Sequence, residues 1–294
     1  MLCGKITETA YGKINLTLDV VGRREDGYHL VCMVMQTVNI FDTVTIEASG
    51  REGGIRLHTD SSEIPDGEDN LVWKAADLMR HELGIKDELD ITLTKRIPVA
   101  AGMAGGSTDA AAVMRGMVRL SGADISADRL KELGVTLGAD IPYCIEGGTQ
   151  LAEGIGEKLT GLENVPHAYL VIVKPGISVS TGWVYKAFDS IPAEDVVHPD
   201  TPAMLEAIRK GDIAGVAANL RNVLEQQTGA QYPVIGELER FLKSFGALGA
   251  MMTGSGPTVF SLFDRKEKAE NAYHALTACY PDYQSFLTEF VNEA

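Results

Sequence analysis

Positive charge is scarce in this sequence. The 294 residues include 26 lysines and arginines against 41 aspartates and glutamates, a net charge of −15 at pH 7, and the basic residues form no cluster. Binding to the phosphate backbone of a nucleic acid requires a broad basic surface. We therefore expect no nucleic-acid partner, and any anionic ligand must be held by a local site.

Cysteines and long apolar runs are also few. Cys3, Cys32, Cys144 and Cys279 are far apart and form no C-x-x-C pair, so free thiols in a reducing compartment are the simplest interpretation. The N-terminal segment has no apolar run that resembles a signal peptide, and no window approaches the length that spans a bilayer. These features predict a cytoplasmic protein without a membrane partner.

Hydrophobic and charged contents of 45% and 23% are ordinary for a globular protein of one large or two moderate domains. A glycine-rich stretch at 146–161 suggests a boundary, which we place between domains 1–155 and 156–294. Periodicity and turn residues predict the elements. Strands are expected at 14–21, 30–40, 43–47, 90–97, 168–173 and 256–263. Helices are expected at 70–83, 107–120, 126–138, 203–210, 212–227, 235–245 and 266–278. Pro142 is expected to keep Ile141 out of helical geometry.

A glycine-rich segment at 98–109 carries the strongest chemical signal. It leads into a predicted helix of small residues, which let the backbone approach a ligand closely and adopt positive φ. Unpaired N–H groups and the positive end of the helix dipole then favour a phosphate. The predicted nucleotide-phosphate site consists of Pro98, Val99, Ala100, Ala101, Gly102, Met103, Ala104, Gly105, Gly106, Ser107 and Thr108.

The loop by itself allows a second interpretation, a tight turn before a closely packed helix with Ser107 as an ordinary N-cap. It is not a Walker A loop, because no lysine follows Gly106, and its glycine spacing does not fit G-x-G-x-x-G.

Three segments in order resemble the motifs of the GHMP kinase superfamily. They are Tyr11-Gly12-Lys13-Ile14-Asn15-Leu16, the loop at 98–109, and Gly254-Ser255-Gly256-Pro257-Thr258-Val259-Phe260. The resemblance implies an α+β fold of two lobes with the active site in the cleft between them. It also implies ATP as phosphoryl donor, Mg²⁺ as its companion, and Gly254, Ser255 and Gly256 close to the phosphates.

Two further stretches resemble one family within that superfamily, the diphosphocytidyl-methylerythritol kinases. They are Gly22-Arg23-Arg24-Glu25-Asp26-Gly27-Tyr28-His29 and Leu137-Gly138-Ala139-Asp140-Ile141-Pro142. The resemblance implies transfer of the γ-phosphate of ATP to the 2-hydroxyl of the methylerythritol moiety, in the non-mevalonate isoprenoid pathway. The loop of that family usually reads G-L-G-G-G-S-S, and this chain departs from it at Met103, Ala104 and Thr108.

The resemblance assigns the catalytic roles to Lys13 and Asp140. Lysine can hold the carboxylate and neutralise charge on the transferring group, whereas aspartate can orient the hydroxyl and take its proton. The alternatives are a solvated surface lysine and a turn aspartate. No residue is assigned to a metal.

For the substrate, the resemblance implies that Tyr28 stacks on the cytosine face and His29 bonds its edge. Tyr185 is the expected second wall, with Trp183 as its near rival, and Asn15 and Thr181 are further expected contacts. Partners are then small molecules only, and the protein is a monomer or a homodimer.

Two alternatives remain. Homoserine and mevalonate kinases share the superfamily motifs, but the stretch Asp26-Gly27-Tyr28-His29 disfavours them. A non-catalytic nucleotide-binding or sugar-sensing protein is the alternative of another class. The presence of both Lys13 and Asp140 disfavours it, because binding alone requires neither.

Overall fold

The computed structural model describes residues 2–292, which cluster into two compact units. Two long strands, β1 (Cys3–Arg23) and β2 (His29–Glu52), belong partly to each unit. The first unit comprises the chain up to Gly12, Ile40–Val99 and Ala104–Glu146; the second comprises Lys13–Asn39, Ala100–Met103 and the chain from Gly147 onward. The contiguous division at residue 155 stays a prediction.

In its described residues, the first unit combines strands with four helices. Strand β4 (Asp87–Thr94) pairs in parallel with β3 (Ile55–Thr59) and antiparallel with the C-terminal part of β2. The burial of β4 alternates from residue to residue, which is typical of a strand with one face in the core. The helices are α1 (Leu71–Leu83), α2 (Gly105–Ser121), α3 (Ala127–Val135) and α4 (Ile141–Glu146).

Helix α2 is buried around most of its circumference, and several of its buried residues are small. Ala110, Ala111 and Ala112 are fully buried. A Cβ placed on Gly116 would stand 2.9 Å from the Ile46 side chain of β2. This close packing fixes the helix that follows the glycine-rich loop.

The second unit holds most of the remaining elements. Its strands are β5 (Thr149–Gly154), β6 (Lys158–Gly161), β7 (Tyr169–Lys174), β8 (Arg221–Asn222), β9 (Gly249–Met252), β10 (Val259–Phe263) and β11 (Gln284–Glu289). Its helices are α5 (Thr181–Phe188), α6 (Thr201–Arg209), α7 (Ile213–Ala218), α8 (Glu225–Gln231), α9 (Val234–Ser244) and α10 (Lys266–Cys279).

The second unit forms one sheet wholly within itself. Its strand order is β11-β7-β10-β9, and each neighbouring pair is antiparallel. Helices α9 and α10 pack on it, and every residue of β10 is buried. Elsewhere in this unit, β5 pairs antiparallel with β2 and β6, and β8 pairs in parallel with β1.

Helix ends follow the turn chemistry of the sequence. Asn70 caps the start of α1 by accepting a hydrogen bond from the Val72 N–H, and Gly84 ends that helix at φ 63°. Ser126 caps α3 through the Arg129 N–H, and Gly122 follows α2 at φ 66°. The helices predicted at 70–83 and 107–120 are confirmed to within two residues.

Two expectations are wrong. The segment 212–227 is not one helix: α7 ends at Ala218, and the chain then forms β8 before α8 begins. Pairing with β1 overrides the local helical pattern there. Ile141 is helical although a proline follows it, because Pro142 lies in the first turn of α4, where a backbone N–H has no helical partner.

Within the described residues, the structure contains no helix with the length and apolarity that a membrane crossing requires.

Candidate active site

The glycine-rich loop ends at the first turn of α2. Ala104 is the N-cap residue, and no side chain caps the helix. The first helical hydrogen bond runs from the Thr108 N–H to the Ala104 carbonyl, at 2.9 Å. The N–H groups of Gly105, Gly106 and Ser107 therefore lack partners within the helix, which is the arrangement that binds phosphate. Ser107 is in the first turn, so its interpretation as the N-cap is wrong.

Ala104 stands where the resemblance leads us to expect a glycine, and its backbone conformation is strained. Ala104 has φ 58° and ψ 27°, in the left-handed region. A non-glycine residue there costs about 1–2 kcal/mol because its Cβ crowds the following carbonyl. Ala100 has a similar φ of 52°. The chain keeps the left-handed turn at Ala104 without the residue that adopts it most easily.

The second and third motifs are in backbone contact within the second unit. A Cβ on Gly102 would stand 2.4 Å from the Thr253 carbonyl oxygen, and one on Gly254 would stand 2.8 Å from the Gly102 carbonyl oxygen. Both glycines also have positive φ, 72° and 58°. Only residues without a Cβ allow this approach, which is the physical reason for both glycines.

Asn222 holds the third motif in place, a role that sequence reasoning missed. Its side-chain Nδ2 donates to the carbonyl oxygens of Met252 (2.9 Å) and Gly254 (2.8 Å). Its Oδ1 accepts from the Leu224 N–H at 3.0 Å. The residue lies inside the stretch that was predicted to be helical, so its pattern carried no signal of this contact.

Gly102→Ala is expected to destabilise the protein by about 2–4 kcal/mol, since it adds a backbone clash to an unfavourable φ. Urea unfolding measures the loss. Gly84→Ala is the matched control. Gly84 has φ 63°, and a Cβ added there would meet nothing within 4 Å. The control variant therefore has the unfavourable φ without a steric clash. Equal losses in the two variants would show that the contact with Thr253 carries no weight.

Lys13 is buried, with 5% of its surface exposed, and is not a solvated surface lysine. Its Nζ donates to Asn15 Oδ1 at 2.8 Å, and its backbone N–H donates to the Met103 carbonyl at 3.2 Å. The Asn15 N–H in turn donates to Thr253 Oγ1 at 3.0 Å. The first motif is thereby tied to the loop and to the residue that precedes the third motif. Asn15 is fully buried, and its substrate contact stays a prediction.

Asp140 lies directly before α4 in the first unit, and its carbonyl accepts the Cys144 N–H at 3.0 Å. Two residues earlier, a Cβ on Gly138 would stand 3.9 Å from Ser107 Oγ. The turn that carries Asp140 is therefore adjacent to the first turn of α2. Its role as catalytic base stays a prediction.

A buried charged cluster of Asp42, Lys95 and Asp109 supports the same helix. Lys95 Nζ lies 2.8 Å from Asp109 Oδ2 on α2 and also bonds Asp42 Oδ2 on β2. Asp42 Oδ1 accepts the Ile97 N–H at 2.8 Å. Burial raises the pKa of the Asp109 carboxyl to about 8, with Lys95 opposing the rise and Asp42 adding to it. A Cβ on Gly105 would stand 3.3 Å from Lys95 Nζ, so the ammonium lies beside the start of α2.

The residues expected to read the base lie in the second unit. The His29 and Tyr185 rings stack with centroids 4.8 Å apart and planes at 28°. Tyr28 is 61% exposed, whereas Trp183 packs edge-on against Tyr232. Tyr185 is thus the aromatic beside His29. Their contact with cytosine stays a prediction.

Thr181 Oγ1 and Ser255 Oγ lie 2.9 Å apart, so the start of α5 meets the third motif. This contact joins an expected substrate residue to an expected phosphate residue within the second unit. The roles assigned to the two hydroxyls stay predictions.

Two family models and several known kinases match this chain. The family model described as GHMP kinases N terminal domain matches residues 70–148, and the model described as GHMP kinases C terminal matches residues 204–282. The 4-diphosphocytidyl-2-C-methyl-D-erythritol kinase of Clostridium beijerinckii is 46% identical over 96% of this chain and 99% of its own length. That of Caldicellulosiruptor saccharolyticus is 47% identical over 90% of each chain.

Solved structures give the same result. A crystal structure of 4-(cytidine 5'-diphospho)-2C-methyl-D-erythritol kinase matches with a TM-score of 0.81 and 31% identity, covering 97% of this chain and 99% of the other. A homoserine kinase from Cytophaga hutchinsonii has a TM-score of 0.79 but only 19% identity, over 98% and 95% of the two chains, and so shares the fold alone. The mixed α/β fold of the GHMP kinases is thus confirmed, and the chain belongs to the 4-diphosphocytidyl-2-C-methyl-D-erythritol kinase family.

Proposed function

We propose that this chain transfers the γ-phosphate of ATP to the 2-hydroxyl of 4-diphosphocytidyl-2-C-methyl-D-erythritol, a step of the non-mevalonate isoprenoid pathway. The observation that carries the proposal is the similarity to a kinase of that name, which is 46% identical over 96% of this chain. The uncapped first turn of α2 supports it, because it offers N–H groups to the ATP phosphates.

Asp140 orients the attacking hydroxyl and takes its proton, which contributes about 10²–10⁴-fold to such reactions. Lys13 neutralises charge on the transferring phosphoryl group. Its ammonium is held by Asn15, which Thr253 contacts in turn, so both residues restrict its position. A fixed ammonium stabilises the transition state without reorganising.

Mg²⁺ fits this site only together with the ATP phosphates. The part of the chain that the structure describes contains no group of three acidic, histidine or cysteine side chains placed for a metal. Such sites commonly use few protein ligands because phosphate oxygens supply the rest. The Thr108 hydroxyl donates to the Tyr11 carbonyl at 2.7 Å, so Ser107 is the hydroxyl we assign to the cation. When bound, the cation neutralises the β- and γ-phosphates.

An ATP-consumption assay tests the proposal, with the cytidine substrate, homoserine and mevalonate offered separately. We expect turnover with the cytidine substrate alone. Preference for homoserine or mevalonate would move the chain to another branch of the superfamily. Binding of ATP without turnover of any acceptor would favour a non-catalytic protein. A cytoplasmic location and a monomeric or homodimeric state stay predictions.

His29→Ala and Tyr28→Ala should each raise KM for the cytidine substrate by about 5–150-fold, equivalent to about 1–3 kcal/mol. The reason is loss of an edge hydrogen bond in one case and of a stacking surface in the other. KM for ATP should change little. Trp183→Ala is the control, because that ring packs on Tyr232. Loss of ATP affinity in both variants, or an unchanged preference for cytidine, would remove the base-reading role.

A further inference from the structure

We propose that Asp189, held by Arg23, is a positioning residue that fixes the tautomer of His29 and thereby selects cytosine over uracil. This inference rests on the proposed function, since it concerns how the same site distinguishes two pyrimidines. It adds a residue that lies outside every motif of the sequence, at the end of α5.

A chain of short contacts connects the three residues. His29 Nε2 lies 2.7 Å from Asp189 Oδ1, and Arg23 Nη1 lies 3.1 Å from Asp189 Oδ2. Arg23 also donates through Nε to the Gly27 carbonyl at 3.2 Å. The carboxylate therefore uses one oxygen for the arginine and the other for the imidazole.

The remaining surroundings keep the imidazole in place. Only 12% of the His29 side chain is exposed. Its ring stacks on Tyr185, whose backbone carbonyl accepts the Asp189 N–H at 3.1 Å. The aspartate and the stacking tyrosine therefore belong to one helix end, and both act on the same ring.

The protonation of His29 follows from its partner. An ionised carboxylate accepts hydrogen bonds and donates none, and the second oxygen of Asp189 already accepts from Arg23. The Nε2 atom of His29 must therefore carry a proton. In a neutral imidazole the other nitrogen, Nδ1, is then an acceptor.

An acceptor at Nδ1 distinguishes the two bases at position 4 of the ring. Cytosine has an amino group there, which donates to Nδ1, whereas uracil has a carbonyl oxygen, which repels it. A site built to bond one base leaves polar groups unpaired with the other. Loss of one such bond corresponds to about 10–100-fold in affinity.

Arg23 and Asp189 could instead form an ordinary exposed ion pair that stabilises the turn before β2, since their side chains are 57% and 32% exposed. Such pairs contribute little to stability. If the ion pair only stabilised the turn, removing Asp189 would change neither the tautomer of His29 nor the preference for cytosine over uracil. Measuring the tautomer and the base preference therefore distinguishes the two roles.

The experiment compares wild type with Asp189→Ala, Asp189→Asn and the control Asp264→Ala. Asp264 is an exposed carboxylate paired with Lys268 at 2.8 Å, so its removal deletes an equivalent surface ion pair. Imidazole ¹⁵N spectra report the tautomer of each histidine. The signals of His29 are identified as those that disappear in the His29→Gln variant. Calorimetry gives Kd for CDP and for UDP.

We expect wild-type His29 to carry its proton on Nε2 and to bind CDP in preference to UDP. Asp189→Ala should mix the tautomers and reduce that preference about tenfold or more. Asp189→Asn should restore part of it, because its amide oxygen still accepts from Nε2. Asp264→Ala should match wild type.

Two results would overturn the inference alone: a proton on Nδ1 in the wild type, or a full CDP preference in Asp189→Ala. In either case the proposed function stands if the cytidine substrate is phosphorylated. Equal wild-type affinity for CDP and UDP would overturn the inference together with the base-reading part of the proposed function. The tautomer spectra need no turnover, so the two failures can be distinguished.

Discussion

Asp140→Asn is expected to lower kcat by about 10²-fold or more, while KM for ATP stays close to the wild-type value. The amide keeps the size of the side chain and cannot accept the proton of the substrate hydroxyl. The turn that carries the residue lies beside Ser107 and begins α4. Steady-state rates with the cytidine substrate measure the effect, and circular dichroism confirms folding.

Asp124→Asn is the control, because it removes one exposed carboxylate of the same unit. Lys13→Met should resemble Asp140→Asn, with the larger loss in kcat rather than in KM for the cytidine substrate. Turnover of Asp140→Asn within a small factor of wild type would show that another group takes the proton. A loss confined to KM would instead indicate a binding role.

Lys95→Met is expected to destabilise the protein by about 3–5 kcal/mol, the usual effect of removing one partner from a buried ion pair. The lysine side chain is 8% exposed, and the Asp42 and Asp109 side chains are 0% and 2% exposed. Without the ammonium, two buried carboxyl groups face each other at the base of α2. Urea unfolding followed by tryptophan fluorescence measures the loss, and Trp73 on α1 reports on the same unit.

The loss should depend on pH. Burial raises the pKa of Asp109 to about 8 from its ordinary 3.8, so the folded protein binds a proton that the unfolded chain releases. That contribution is present at low pH and is lost as the pH rises through about 8. A proton on the Asp109 carboxyl can partly replace the missing ammonium. Lys95→Met should therefore lose less stability at about pH 6 than at about pH 9. The exposed control Lys86→Met should show little loss and no such dependence; a pH-independent loss in Lys95→Met would contradict this account.

The sequence predicted those features that depend on short stretches of chain. The helix expected at 70–83 lies within one residue of α1, because its apolar spacing and its end before a glycine are local signals. The glycine-rich loop was recognised for the same reason, since its chemistry is local. The family resemblance then placed three such stretches in one protein.

The residues that were missed act over long distances in the sequence. Asn222 bonds carbonyls of the third motif, and Asp189 bonds His29, and neither lies in a recognisable pattern. Lys95 follows a strand like any exposed lysine, yet it is buried between two aspartates. Polar residues of this kind are defined by partners that only the folded chain brings together.

The contact of Gly102 with Thr253 and Gly254 has a consequence for how the protein is made. Synthesis releases the loop long before the third motif, which lies near the C-terminal end. Until the ribosome has synthesised that motif, the backbone at Gly102 cannot pack against Thr253 and Gly254. Domains that fold during synthesis generally do so from the N-terminal side. A product that terminates before Thr253 therefore lacks the backbone against which Gly102 packs in the complete chain.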